Sequence, residues 1–226
     1  MVKAFVVLSA ALLCAALCHA EPSERYLQGM VGWLQADDVW QIDADSSGQP
    51  LAADLGDLLY GGGAVQMNFG NTALEYGYET GGLVSFKNDA RYVAAAGDNG
   101  GAVGAKIDNE FWLVDLYMGA YTGIHLGDHL RFYVSVGPAL LIGSLDVDDS
   151  EPVSIPQSGT VVVSSAGRHT KGALGFYGKL GVDILFDSGI TLGASLRQVN
   201  AKLDFGAAGE MQFNDPQYFI TVGKKF

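Results

Sequence analysis

The stretch Leu130-Arg-Phe-Tyr-Val-Ser-Val-Gly-Pro-Ala-Leu-Leu-Ile142 decides the fold. Its even positions (Leu130, Phe132, Val134, Val136, Pro138, Leu140 and Ile142) are apolar and mostly bulky. Its odd positions (Arg131, Tyr133, Ser135, Gly137, Ala139 and Leu141) are mainly small or polar. A period of two marks a β-strand, because successive side chains point to opposite faces. The run is also long, since strands of globular domains usually have about five or six residues.

The same split recurs outward from this stretch. Residues 174–186, 74–86 and 112–124 each set large apolar residues on one face against glycine and polar residues on the other. Weaker versions cover 27–35, 58–69, 190–205 and 217–226, which brings the total to eight. The connections alternate in length. Short ones at 70–73, 125–129 and 187–189 carry turn pairs such as Gly70-Asn71, Gly127-Asp128 and Ser188-Gly189. Longer ones cover 36–57, 87–109, 146–170 and 206–215. Short turns at one end and long loops at the other, with an even strand count, describe an all-β, eight-stranded antiparallel up-and-down transmembrane β-barrel.

Residue size sets the direction of the faces. A soluble eight-stranded barrel points its apolar face inward. Here glycine and ionic residues share the second face, and they suit a narrow lumen, so the bulky face should look outward into hydrocarbon. Closure of the barrel leaves no unpaired strand edge in the bilayer. Aromatic residues at strand ends fit interfacial girdles: Phe69, Phe132, Phe186 and Phe226 at the turn end, Trp33, Phe86, Trp112 and Phe205 at the loop end.

Composition narrows the class further. The 226 residues are 49% hydrophobic and include 31 glycines but six prolines, so the chain is neither disordered nor collagen-like. A net charge of -12 lacks the basic face that nucleic acid requires, so no nucleic-acid partner is expected. Residues 1–20 have a short positive start, an apolar run too short to span a bilayer comfortably, and Cys18-His19-Ala20 before a cleavage point. They read as a secretory signal peptide, leaving 21–226 as the barrel domain. Both cysteines, Cys14 and Cys18, lie in that segment, so the exported chain would have none.

Two further features carry a resemblance. The tail Tyr218-Phe-Ile-Thr-Val-Gly-Lys-Lys-Phe226 has Tyr218, Ile220 and Val222 at alternate positions before a terminal Phe226. It resembles the strand signature read by the outer-membrane barrel assembly machinery, although Lys224 stands where that signature prefers an apolar residue. Gly137-Pro-Ala-Leu-Leu-Ile-Gly and Leu192-Gly-Ala-Ser-Leu-Arg are similar to strands of the porin-family barrels related to the outer-membrane protein A transmembrane domain. The resemblance implies an integral protein of the bacterial outer membrane, monomeric, in contact with lipid and lipopolysaccharide.

The candidate site is the lumen. Glu75, Glu79, Asp115, Asp183, Arg131, Lys179, Arg197 and Lys225 fall on the inward face. Buried charges must be paired or wetted. If the turn at 187–189 pairs Phe186 with Ile190, Lys179 lies opposite Arg197, and an acid is needed between or above them, Asp115 or Glu79 being best placed. Such a network is either a salt-bridged plug or a gated path for ions or small solutes; the plug is the favoured reading. In the first long loop, Asp43, Asp45, Ser47 and Asp54, with Gly48, follow calcium-loop spacing. The loop's six aspartates without Lys or Arg make Ca2+ or Mg2+ association a weaker expectation. No other cofactor is expected. A lipid A-modifying enzyme would need a His near a Ser with an orienting carboxylate. His169 is followed by Thr170 and Lys171, and His125 and His129 flank a turn and read as solvated, so no catalytic residue is assigned.

Overall fold

A computed structural model describes residues 22–34, 40–42, 51–53, 57–70, 74–96, 102–147, 167–206 and 209–226. Residues 1–20, and with them the signal peptide, lie outside the described residues. In chain order the strands are β1 (Glu24–Leu34), β2 (Trp40–Ile42), β3 (Leu51–Ala53), β4 (Leu58–Asn68), β5 (Leu74–Ala96), β6 (Ala102–Leu126), β7 (Leu130–Val147), β8 (Gly167–Leu185), β9 (Ile190–Asp204), β10 (Glu210–Phe213) and β11 (Pro216–Lys225). Eight of them, β1, β4 to β9 and β11, form an antiparallel barrel in which β11 pairs with both β9 and β1 and so closes the sheet. The closure reaches the last residue, where Arg25 and Phe226 exchange backbone hydrogen bonds of 3.1 and 2.9 Å.

The register fixes the geometry of closure. One circuit through paired residues runs Glu24, Asn68, Gly77, Tyr121, Ser135, Lys179, Arg197, Gln217 and back to β1 at Leu34. It returns ten residues further along the strand on which it began. A slip of that size, against eight strand spacings, tilts the strands by about 40° to the barrel axis. The tilt matters because it staggers inward side chains from neighbouring strands, so charges that are distant in sequence meet.

Between the turn end and the middle of the barrel the outer face is apolar. Leu27, Val31, Val84, Leu116, Val134, Val136, Phe176, Leu180, Ile184, Leu192 and Ile220 are exposed, and Phe176 is 73% so. Glycine fills a specific need on the inner face. Gly81 pairs with Tyr117 and Gly181 with Tyr133, and a Cβ at either glycine would collide with the tyrosine ring lying across it. Absence of a side chain is what lets a large ring lie flat inside a narrow barrel.

The loop end departs from the expected polar interior. Above Arg197 the inner positions of β9 are Val199, Ala201 and Leu203, followed by Phe205, and all are buried. They pack in a cluster with Leu34, Leu58, Leu83, Phe111, Leu113, Leu141 and Leu145. The outer positions of β9 at that level are Gln198, Asn200, Lys202 and Asp204, all exposed. On β9 the polarity of the wall therefore inverts, whereas Trp33, Leu59 and Val84, next to Leu34, Leu58 and Leu83 of the same core, stay apolar and exposed. Where hydrocarbon surrounds the barrel, apolar groups face out; where water does, burial of apolar groups requires that they face in. We call this loop-end section the collar. Phe205, expected in the girdle, belongs to this core instead, because it lies beyond the inversion. Trp33 keeps its girdle position and stacks on Tyr218, with ring centroids 5.9 Å apart.

The expected loops also carry strands. In 87–109, β5 and β6 stay paired out to Ala96 and Ala102. The β4–β5 pairing ends at Tyr60 with Ser85, so among the described residues the projecting ribbon has no barrel partner on that side to impose a period-two pattern on it. The short strands β2, β3 and β10 continue the sheet from β9 in the order β9-β10-β2-β3. Met211 and Phe213 of β10 add to the collar core.

Candidate functional site: the ion-paired lumen

All seven charges assigned to the lumen network are buried: Glu75, Glu79, Asp115, Arg131, Lys179, Asp183 and Arg197. They form three tiers. In the tier nearest the turns, Arg131 on β7 reaches Glu75 on β5 through Nε (2.7 Å) and Asp183 on β8 through Nη1 (2.8 Å). Its Nη2 donates to Gln66 Oε1 at 2.6 Å, and its guanidinium lies 3.9 Å from the centroid of the Tyr26 ring. The Tyr26 hydroxyl donates to Glu75 Oε1 at 2.6 Å, and Gln28 Nε2 donates to Asp183 Oδ2 at 3.1 Å. One guanidinium on β7 thus anchors groups from β1, β4, β5 and β8.

In the middle tier Lys179 Nζ is 3.1 Å from Glu79 Oε2, which also accepts a hydrogen bond from Gln66 Nε2. The Ser135 hydroxyl donates to the other Glu79 oxygen at 3.3 Å. Gln66 therefore links the lower tiers, its carbonyl to Arg131 and its amide to Glu79. In the upper tier Arg197 grips Asp115 with two parallel bonds of 2.6 and 3.0 Å, the geometry that makes Arg–carboxylate pairs strong and directional. Arg197 Nη1 also donates to Gln217 Oε1 at 2.7 Å, and the Tyr117 and Tyr177 rings lie 4.6 and 5.1 Å from its guanidinium.

Lys179 and Arg197 are cross-strand partners, and Phe186 and Ile190 bracket the turn, with Phe186 N–H donating to Ile190 O at 2.9 Å. The two cations are separated by taking different acids, Glu79 for one and Asp115 for the other. Lys225 sits at the turn end, half-buried, 2.6 Å from Glu24.

His125 corrects the solvated reading. Its side chain is 12% exposed and Nε2 lies 2.7 Å from Glu75 Oε1, because the last inward position of β6 places the ring under Arg131 rather than in the turn. His129 is exposed and its Nδ1 lies 3.2 Å from the Leu185 carbonyl oxygen. Gln28, Gln66, Gln217, Tyr26 and His125 are network members that sequence reading missed. Gln66 was readable in principle from its register opposite Glu79, but Gly61-Gly62-Gly63 blurs the alternation of β4 just before it.

Asp43, Asp45, Ser47 and Asp54 lie outside the described residues. Among the described residues no group of three or more His, Cys, Asp or Glu is placed to hold a metal ion. Tyr218, Ile220 and Val222 face outward along β11, and Phe226 closes against Arg25.

A closed barrel with an apolar outer wall and charges along its axis matches a known family model, that of the outer membrane protein beta-barrel domain, over residues 4–226. The chain belongs to that family. Membership places this barrel in the bacterial outer membrane. No curated protein matches the sequence. Among solved structures the chain is similar to the outer membrane protein OprG from Pseudomonas aeruginosa, with a TM-score of 0.57 and 11% identity over 91% of this chain and 97% of that one. It is also similar to Ail, the attachment invasion locus protein of Yersinia pestis, with a TM-score of 0.47 and 10% identity over 91% and 99%. The outer membrane protease OmpT from Escherichia coli matches with a TM-score of 0.45 and 10% identity over 91% and 97%. At these identities the likeness to OprG speaks to the fold alone.

Proposed function

We propose that this outer-membrane barrel is a structural, surface-presenting protein with a plugged interior, and not a pore or an enzyme. The observation that carries the reading is the sequence of seals along the axis: three ion-paired tiers with their charges buried, then an apolar core in the collar. Moving an ion through such a tier means breaking a buried pair and leaving a charge uncompensated, which costs about 3–5 kcal/mol for each pair broken. Purified protein in a planar bilayer should therefore show no steady single-channel current. A reproducible unitary conductance would overturn the plug and favour a narrow pore for ions or small solutes.

The non-enzymatic part rests on a histidine that the structure pairs with a carboxylate. His125 lies at the turn end beside Arg131, inside the lumen and out of reach of surface lipid. Expression should leave the mass of lipid A unchanged. The long loops would carry contacts with the surroundings. Lipopolysaccharide is the expected neighbour of the collar, with Ca2+ or Mg2+ bridging its phosphates to the aspartates of the first loop. Calcium bound by the folded protein, and lost when Asp43 and Asp45 become Asn, would support that bridge. The tail from Tyr218 to Phe226 would be read by the barrel assembly machinery, and the protein would act as a monomer.

A further inference from the structure

Buried polar groups of the upper tier have no hydrogen-bond partner among the described residues, among them Nε of Arg197 and the hydroxyls of Tyr117 and Tyr177. Arg197 and Tyr117 are almost wholly hidden from bulk solvent, at 1% and 3% exposure. They are neighbours, the guanidinium lying over the Tyr117 ring, and Tyr177 packs edge-on against Tyr117 with centroids 4.9 Å apart. The other guanidinium nitrogens of Arg197 are committed to Asp115 and Gln217. The end of the Tyr117 ring lies directly over Gly81, where a Cβ would collide with the hydroxyl.

The chemistry of these atoms limits what can serve them. A guanidinium N–H only donates, whereas a phenol hydroxyl donates and accepts. The ligand must accept from Nε, be small enough for a closed layer and tolerate the Asp115 carboxylate beside it. An anion meets the first condition but not the last. Water meets all of them, and buried polar groups of this kind are ordinarily completed by ordered water. Directly above, Leu113, Leu141, Val199 and Leu203 offer an apolar lining, of the kind that stays dry.

We infer that the Arg197 tier is an internal water site, and that the barrier to water in this barrel is the apolar core of the collar above it. The inference rests on the plugged reading and locates the seal within it. The ionic tiers hold the strands in register and are wettable; the collar excludes water.

Hydroxyl-radical labelling of the folded protein in detergent micelles, read residue by residue by mass spectrometry, tests this. Rates are normalised to the same residues in urea-unfolded protein. Radicals generated from bound water should modify Tyr117 and Tyr177 severalfold faster than Phe111, Phe205 and Phe213, which are similarly hidden from bulk solvent. Tyr117 protected as fully as those three phenylalanines would overturn the water site. Equal and rapid labelling of all five would overturn the dry seal. Conductance is measured separately, so a silent bilayer with a protected Tyr117 would refute this inference while leaving the plug intact.

Discussion

From Ile190 to Leu196, strand β9 turns Ile190, Leu192 and Leu196 outward and Thr191, Ser195 and then Arg197 inward. From Gln198 to Asp204 the same strand turns Gln198, Asn200, Lys202 and Asp204 outward and Val199, Ala201 and Leu203 inward. The strand itself continues unbroken between the two halves, but its neighbours change: pairing with β11 ends at Gln198 and with β8 at Asn200, and β10 takes over from Ala201 to Asp204. The lower half of β9 is apolar outside and backed by ion pairs. The upper half is polar outside and backed by an apolar core. The lesson is that one strand can change the face it buries where its neighbours and surroundings change, and β9 does so beside Arg197.

The comparison can be broken most severely at Arg131. Replacing it with Met strands Glu75 and Asp183 without a cation, and losing one partner of a buried pair costs about 3–5 kcal/mol. The folded, fast-migrating band on an unboiled gel should disappear at a lower temperature than in the wild type. Unchanged heat resistance would mean that the lower half does not depend on its ion pairs. The upper tier offers a finer version. Arg197→Met alone should destabilise by a similar amount, whereas Arg197→Met with Asp115→Leu should recover most of the loss, since a well-packed apolar pair can replace a buried ionic one.

In the collar the equivalent blow is a cavity. Leu203→Ala should cost about 2–5 kcal/mol, read from urea unfolding in micelles, and a negligible effect would deny the collar a packed core. The outer wall gives the sharpest contrast for one type of substitution. Val134→Arg places a charge in the apolar band and should cost about 2–4 kcal/mol. Asn200→Arg, outward on the collar, should stay within about 0.5 kcal/mol as an ordinary surface change does. Equal costs would erase that contrast. A milder loss than those from the cavity and the buried charge is expected at Gly181→Ala, where the added Cβ meets the Tyr133 ring, at about 1–3 kcal/mol. Tyr133→Leu in the same chain should relieve part of that cost.

Much of this is legible in the sequence. The alternation of 130–142, the turn pairs and the lengths of the connections are local properties, and they led to eight antiparallel strands and to the seven buried charges. The inversion was hidden by its own form. On 190–205 the apolar phase switches faces at Arg197 and Gln198, so the two half-patterns cancel and the strand reads as weak rather than as two strong halves. The same switch explains Phe205, counted toward the girdle by its place at a strand end but buried by its phase. His125 went astray for a different reason. Proximity to the turn Gly127-Asp128 suggested solvent, yet it is the inward partner of Arg131 across β6 and β7.

What the sequence by itself determined is therefore the set of strands, their up-and-down order and the membrane-facing side of the longest ones, because each depends on neighbours along the chain. Which acid meets which cation was decided only by tertiary structure. That choice depends on a register slip of ten residues accumulated around a closed circuit, a sum over all eight strands that no single segment contains. The collar core was decided there too, since its residues come from β1 and from β4 to β10 and are apolar on the inner side only with respect to a wall that closure creates.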